Sequence, residues 1–241
     1  MYRIPANTES DFSMIPHYIK SIAVLGGTGK EGKGLAFRFA KRGYQVYIGS
    51  RTPEKARGVA TEIISQLQCD GMVIGSSNLE AAERADIIIL AVPYDAHRGT
   101  LEAIKGVLKG KILIDVTVPL VPPKVTKVQM PAAGSAAQEA REILGEDVQV
   151  TSAFHNISYE HLMHDENIDC DVLVTGTSKE ARTETLELVN AAGLIGWDAG
   201  PIENSVVAEG LTSVLIGINK QYGSTSAGIR ITGVKVPGPV S

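Results

Sequence analysis

Short apolar runs alternate with amphipathic stretches through most of the chain. Residues 21–25 carry Ile22-Ala23-Val24-Leu25 and read as a strand; residues 30–42 read as a helix with Leu35, Ala36 and Phe39 on one face. Residues 44–49 form the next strand, and Pro53 suits the first turn of a helix that runs to about Gln68. Met72 to Gly75 is a short strand, after which Asn78 caps a brief helix through Arg84. Asp86 to Val92 is continuously apolar after its first residue, the pattern of a strand covered on both faces, and Pro93 ends it. A helix over 95–108 leads to a second buried strand at 111–118, then to a Pro-rich loop. A helix near 135–144 and a strand at 148–154 follow.

The remainder is shorter: a strand at 170–176, a helix at 179–192, a strand at 196–199 and a helical run at 202–222. That last run places Val206, Val207, Leu211, Val214, Leu215 and Ile218 on a broad face, expected to be buried against the first domain, a partner chain, or both. The tail from Gly223 is rich in Gly, Ser and Thr, and no internal repeat is present. Alternating β and α elements with buried strands predict an α/β fold built on a doubly wound parallel sheet. Ligands of such sheets sit beyond the carboxyl ends of the strands. The ends here carry a Gly-rich turn, Ser50, Pro93, Val118 and His155, which should converge on one cleft.

Gly27-Thr28-Gly29-Lys30-Glu31-Gly32 stands directly between the first strand and the first helix. A G-x-G-x-x-G turn in this position is a dinucleotide-binding pattern. Its glycines permit a tight turn, close approach of a pyrophosphate and tight helix–sheet packing, with free N–H groups of the helix start facing the phosphates. In the NAD-binding version an acid about 20 residues further on binds the ribose hydroxyls. The second strand here ends instead in Ser50-Arg51, with Lys55 one turn into the next helix. A guanidinium can pair bidentately with a 2′-phosphate and an ammonium adds a point charge, so the pattern predicts NADP(H) over NAD(H). The bland reading leaves Arg51 and Lys55 as surface charges.

The 241 residues are 44% hydrophobic with a formal net charge of −4, a globular composition that gives no support to a general nucleic-acid surface. Cys69 and Cys170 lie far apart, make no C-x-x-C motif and fit a reducing cytoplasm. No stretch approaches about 18 consecutive apolar residues, so no membrane span is expected. Residues 1 to about 18 are mixed and polar, lack the apolar centre of a secretory signal, and read as a flexible or loosely docked extension.

Taken together, these motifs resemble those of the NADPH:coenzyme F420 oxidoreductase family. Leu25-Gly26-Gly27-Thr28-Gly29 with Gly32-Lys33-Gly34-Leu35-Ala36 is similar to that family's first turn and helix. Gly49-Ser50-Arg51 with Lys55, Val92-Pro93-Tyr94, Ser152-Ala153-Phe154-His155, and Asp198-Ala199-Gly200-Pro201 with Asn204-Ser205 resemble four further patterns, over residues 21 to 233. The resemblance implies a Rossmann-type domain with a small C-terminal α/β domain, divided as an extension at 1–20, an NADP-binding domain at 21–154 and a C-terminal domain at 155–241. The last would contribute to a deazaflavin site and to the interface of a homodimer. It implies reversible hydride transfer between NADP(H) and coenzyme F420. Thr28, Gly29, Lys30, Glu31, Ser50, Arg51 and Lys55 would bind the adenine-side phosphates; Val92, Val118 and Tyr159 would line the nicotinamide; His155 and Thr212 would lie near the deazaflavin. No nucleophile or metal is needed, since the cofactors carry the chemistry.

Two positions depart from the family. Where it can carry Arg and Ser in the last helix, this chain has Val206 and Gly210. The missing cation bears on the grip of an anionic deazaflavin, so a flavin, an imine or another small acceptor stays open as hydride partner, as does a non-catalytic NADP(H)-sensing module. Other residues have bland readings beside sharp ones. His161 and His164 with Asp165 and Glu166 invite a metal, but the ligand set is incomplete and no metal is assigned. His97 lies near the nicotinamide loop or is a solvated surface group. Thr212 has back-bonding to its own helix as the alternative. Tyr222 and Gly223–Gly228 either close over the ring site or form a plain tail. The two cysteines are expected to pack as small apolar groups.

Overall fold

A computed structural model of the chain describes residues 20–163 and 168–236. The four residues of β1 (Ile22–Leu25) are wholly buried, because β1 lies between β2 (Val46–Ser50) and β4 (Ile87–Leu90) and both of its faces are covered. Ile22 and Val24 enter one core layer; Ala23 and Leu25 enter the other. The first layer is covered by α1 (Lys30–Lys41) and α2 (Pro53–Leu67), the second by α3 (Asn78–Arg84), α4 (Tyr94–Ile104) and α5 (Ala136–Leu144). This double cover is why β1 and β4 read as unbroken apolar runs.

With β3 (Val73–Ser77), β5 (Ile112–Asp115) and β6 (Gln149–Ser152), six strands run parallel in the order β3-β2-β1-β4-β5-β6. The segment from residue 155 on does not build a sheet of its own. After the short α6 (Tyr159–Leu162), β7 (Asp171–Gly176) pairs antiparallel with β6 and β8 (Ile195–Pro201) pairs parallel with β7, giving one eight-stranded sheet. Gly176 makes the junction possible, since a Cβ there would lie 2.7 Å from Thr151 Cγ2. The hydroxyls of Thr151 and of Thr185 on α7 (Lys179–Ala191) meet at 2.8 Å and fasten the same seam.

Three local features differ from the sequence reading. The cap of α3 is Ser77 rather than Asn78: Glu80 N–H donates to Ser77 Oγ at 3.2 Å and Ser77 N–H to Glu80 Oε2 at 3.1 Å, a reciprocal capping box. Strand β5 stops at Asp115, whose Oδ1 accepts the Thr117 N–H at 2.9 Å and turns the chain out of the sheet. The last helix, α8 (Ser205–Tyr222), buries Ser205, Ala208, Glu209, Gly210, Ser213 and Leu215, while Val207 is 66% exposed and Val206, Val214 and Ile218 are also exposed. Much of the apolar face, expected to be buried against the first domain, a partner chain, or both, is therefore left uncovered by the body of the chain.

α6 is held on α1 by close packing and by one buried guanidinium. Arg38 donates to the carbonyls of Leu162 at 2.9 Å, His161 at 2.9 Å and Ala192 at 3.2 Å. Any Cβ at Gly34 would overlap Leu162. Gly34→Val is therefore expected to cost about 2 kcal/mol or more through overpacking, read as a lower urea midpoint at unchanged m; an unmoved midpoint would show that α6 is not seated there.

Candidate active site

The glycine turn is shaped as the sequence predicts, with one more glycine taking part. Gly26 has φ +74°, open to glycine at little cost, and Gly29 N–H closes the turn on Gly26 O at 2.9 Å. A Cβ at Gly32 would sit 2.9 Å from both Gly26 O and Gly27 Cα, so its absence lets α1 start hard against the turn. No side chain caps α1, which leaves its first N–H groups available to an anion. Ser50 is buried at the end of β2, its Oγ accepting Thr52 N–H at 3.1 Å, and the exposed Arg51 and Lys55 follow at the start of α2. Leu25 and Gly49 are register partners, which sets this cationic tip beside the turn. Asn78 adds an unforeseen polar group: its buried Oδ1 has no protein partner and would touch a Cβ at Gly49.

Beyond the carboxyl ends of β1, β4, β5 and β6 lies a cleft of about 450 Å³. It is lined by Gly29 to Gly32, by the loops 91–93 and 116–118, by 155–159, by Thr212, Leu215, Ile216 and Asn219 of α8, and by Thr225 and Ala227. Of the sequence-predicted residues, Gly29, Lys30, Glu31, Gly32, Val92, Pro93, Val118, His155, Tyr159 and Thr212 line this cleft; Gly27, Thr28, Ser50, Arg51 and Lys55 lie outside its lining. Val206 and Gly210, singled out for the missing cation, are not among the lining residues either. Gly210 instead faces the 119–134 loop, where a Cβ would lie 3.3 Å from Val128 Cγ1.

His155 is 5% exposed, and both ring nitrogens lack a protein partner. Burial drives its pKa down to about 4 against the opposing pull of Asp115, so the ring is neutral at physiological pH. The preceding Phe154 has φ +68°, an uncommon conformation for a bulky residue, and marks a strained chain reversal at the cleft wall. Thr212 Oγ1 does not back-bond to its own helix; it donates to His155 O at 2.7 Å and ties α8 to that reversal. On the opposite wall Lys30 Nζ donates to Tyr159 Oη at 3.1 Å and lies 4.6 Å from its ring centroid, bridging α1 and α6. Protein packed around the half-buried Glu31 pushes its carboxyl up to about 8.

The tail after α8 is fastened over one side. Ser158 Oγ donates to Thr225 O at 3.1 Å, Ala227 N–H to Asn219 Oδ1 at 2.9 Å and Ile231 N–H to Asp171 Oδ2 at 2.7 Å. Tyr222 takes no part and is 74% exposed. Cys170 packs under Gly228, and Cys69 is half-buried. His97 is not a surface group: it is fully buried, its Nε2 2.7 Å from Asp115 Oδ2. His164, Asp165 and Glu166 lie outside the described residues, and among the described residues no cluster of metal-ligating side chains is found.

A family profile described as NADP oxidoreductase coenzyme F420-dependent matches residues 21–119. The chain is 40% identical over 223 residues to the F420-dependent NADP reductase of Methanocaldococcus jannaschii, spanning 89% of this chain and 99% of that one. It is 39% identical over 218 residues to the reductase of the same name from Methanothermobacter marburgensis, spanning 88% and 97%. Among solved structures it resembles a putative F420-dependent NADP-reductase from Arthrobacter sp. FB24, at 25% identity, TM-score 0.74 and coverage of 88% and 99%.

The depressed pKa of His155 has a measurable consequence. Below its ordinary value of 6.5 the unfolded chain takes up a proton that the folded chain refuses, until the buried ring titrates near 4. This group therefore removes stability as pH falls through that window. Thermal melting of His155→Phe should show a shallower acid decline than the parent; superimposable acid profiles would mean that the ring is not held neutral.

Proposed function

The chain belongs to the F420-dependent NADP reductase family, and we propose that its cleft carries reversible hydride transfer between NADP(H) and coenzyme F420. One observation carries the reading: an uncapped helix start and a cationic strand tip adjoin an apolar cleft that contains a neutral, unpartnered imidazole. The bound cofactors supply the hydride chemistry. The chain's task is to bind them, stack their rings and exclude water, and such positioning is worth up to ~7–11 kcal/mol in well-oriented systems.

In this reading the pyrophosphate lies against the turn Gly27-Thr28-Gly29 and the first residues of α1. The 2′-phosphate is held by Ser50, Arg51 and Lys55. Val92, Pro93, Val118 and Tyr159 line the nicotinamide, and His155 offers a hydrogen bond to the deazaflavin. Thr212 holds His155 in place through its carbonyl. An NADP(H)-binding role suits Glu31 only in its protonated form, since a carboxylate at that point would repel phosphate. Because Val206 and Gly210 do not line the cleft, the departure at these positions does not argue against F420 as the partner.

We further propose a homodimer joined through the outward face of α8, where Val207, Val214 and Ile218 stand exposed and the exposed Val128 of the 119–134 loop packs against Gly210. Two free cysteines in a chain with no disulfide pattern fit a cytoplasmic setting.

Turnover is tested by absorbance with NADPH and purified F420, with FMN and FAD in parallel. Oxidation of NADPH coupled to F420 reduction is expected; turnover with a flavin alone would replace the partner, and NADPH binding without turnover on any acceptor would leave a sensing module. Arg51→Asp should raise KM for NADPH about 10- to 100-fold while changing that for NADH little, because a charge-assisted pair becomes a repulsion; equal effects on both nucleotides would place the 2′-phosphate elsewhere. In light scattering the chain should run at twice its 25.6 kDa mass, and Val207→Asp with Val214→Asp should return it to a monomer; a monomeric parent protein would remove the dimer.

A further inference from the structure

We propose that the buried His97–Asp115 pair positions the nicotinamide-side wall of the cleft, bracing the two loops 91–93 and 116–118 against each other. The inference rests on the reading that this cleft holds NADP(H). It is argued from how one carboxylate is shared. Asp115 is the last residue of β5 and is wholly buried. Its Oδ2 meets His97 Nε2 at 2.7 Å, and its Oδ1 accepts the Thr117 N–H at 2.9 Å. The first bond holds α4, whose N-terminus follows directly on Ala91-Val92-Pro93. The second fixes the turn that presents Val116, Thr117 and Val118 to the cleft. Thr117 Oγ1 reaches Val92 O at 3.4 Å and closes the brace. Asp115 O also accepts Ala153 N–H at 3.3 Å, two residues before His155.

A purely apolar contact would fill this space but would not fix direction. Hydrogen bonds to both carboxylate oxygens set the orientation of helix and loop together, which suits a wall that must hold a ring to within a fraction of an ångström. Acidic groups on two further helices face the pair. Glu139 on α5 places Oε2 3.8 Å from His97 Nδ1, and itself accepts Tyr94 Oη–H at 2.8 Å and Arg98 at 2.6 Å. Glu209 on α8 accepts Ala136 N–H at 2.7 Å, and burial, with the field of Asp115, pushes its carboxyl up to about 8. Burial lowers the pKa of His97, but Asp115 and Glu139 outweigh it despite Arg98, and the net shift is upward. Stability from the imidazolium pair is thus complete below the ordinary histidine value and is lost as pH rises through the raised one.

The full chain is assayed with NADPH as probe in three forms: parent, His97→Leu and His97→Gln. Leu strands the carboxylate, whereas Gln can still donate to it. The bound nicotinamide should emit less strongly in His97→Leu, and kcat should fall about tenfold or more with KM for NADPH changed far less, since the adenosine grip lies elsewhere. His97→Gln should recover most of both. A His97→Leu protein that melts lower yet keeps parental emission and kcat makes the pair merely structural and overturns the inference. If circular dichroism shows His97→Leu unfolded, Asp115→Asn decides on the same readouts: nicotinamide emission and kcat should fall with KM for NADPH changed far less, and parental emission and kcat overturn the inference. Failure of the parent itself to bind NADPH would overturn the cleft reading and this inference with it. Normal NADPH binding with an inert His97→Leu change overturns this inference alone.

Discussion

The site depends on the closeness with which α1 meets the end of β1. Six parallel strands bring their carboxyl ends to one edge, but that edge holds an anion only where backbone N–H groups can reach it. Gly26 turns the chain with a positive φ, and Gly32 leaves room for the helix to begin against the turn itself. A side chain at either place would push the helix start away from the sheet and withdraw the N–H groups that an anion could reach. The cationic tip of β2 and the loops after β4 and β5 have their positions relative to this turn, through pairings such as Leu25 with Gly49 and Leu25 with Leu90.

Around that fixed turn, polar chemistry is divided by depth. The cationic groups that follow β2 are exposed and can adapt to an anion. The ring end is apolar, and its one imidazole, on His155, is neutral and unpartnered within the chain. Carboxyl groups do occur close behind it, at Asp115, Glu139 and Glu209, but each is engaged by N–H or O–H donors. A buried carboxylate left without partners would cost several kcal/mol, so these bonds are conditions for placing charge there at all. The result is a wall that is apolar on the cleft side and rigidly bonded behind.

The sequence made the frame legible because strands covered on both faces leave an unmistakable apolar run, and because the glycine turn sits where strand gives way to helix. Most elements were found within a few residues of their ends. What was not legible depends on partners distant in the chain. The pairing of β7 with β6 rests on Gly176 meeting Thr151, which no local period announces. The role of His97 needs Asp115, and that of Thr212 needs the carbonyl of His155, 57 positions away. Periodicity showed that α8 has a broad apolar face but not which side the body of the chain would cover. The family resemblance sets Val206 and Gly210 toward the bound coenzyme, whereas the geometry puts Gly210 against the 119–134 loop. Asp115, an acid inside the run 111–118 that reads as one buried strand, is given no role by the sequence, although a buried acid requires partners.

Amide hydrogen exchange of the full chain, with and without saturating NADPH, tests the central claim that one nucleotide spans the turn and the ring cleft. Protection should rise together in residues 26–32, where the phosphates meet the helix start, and in 116–120 and 155–159, which flank the rings. Protection of the outer segments with no change at 26–32, or slowing confined to surfaces away from the carboxyl ends of the strands, would contradict the account.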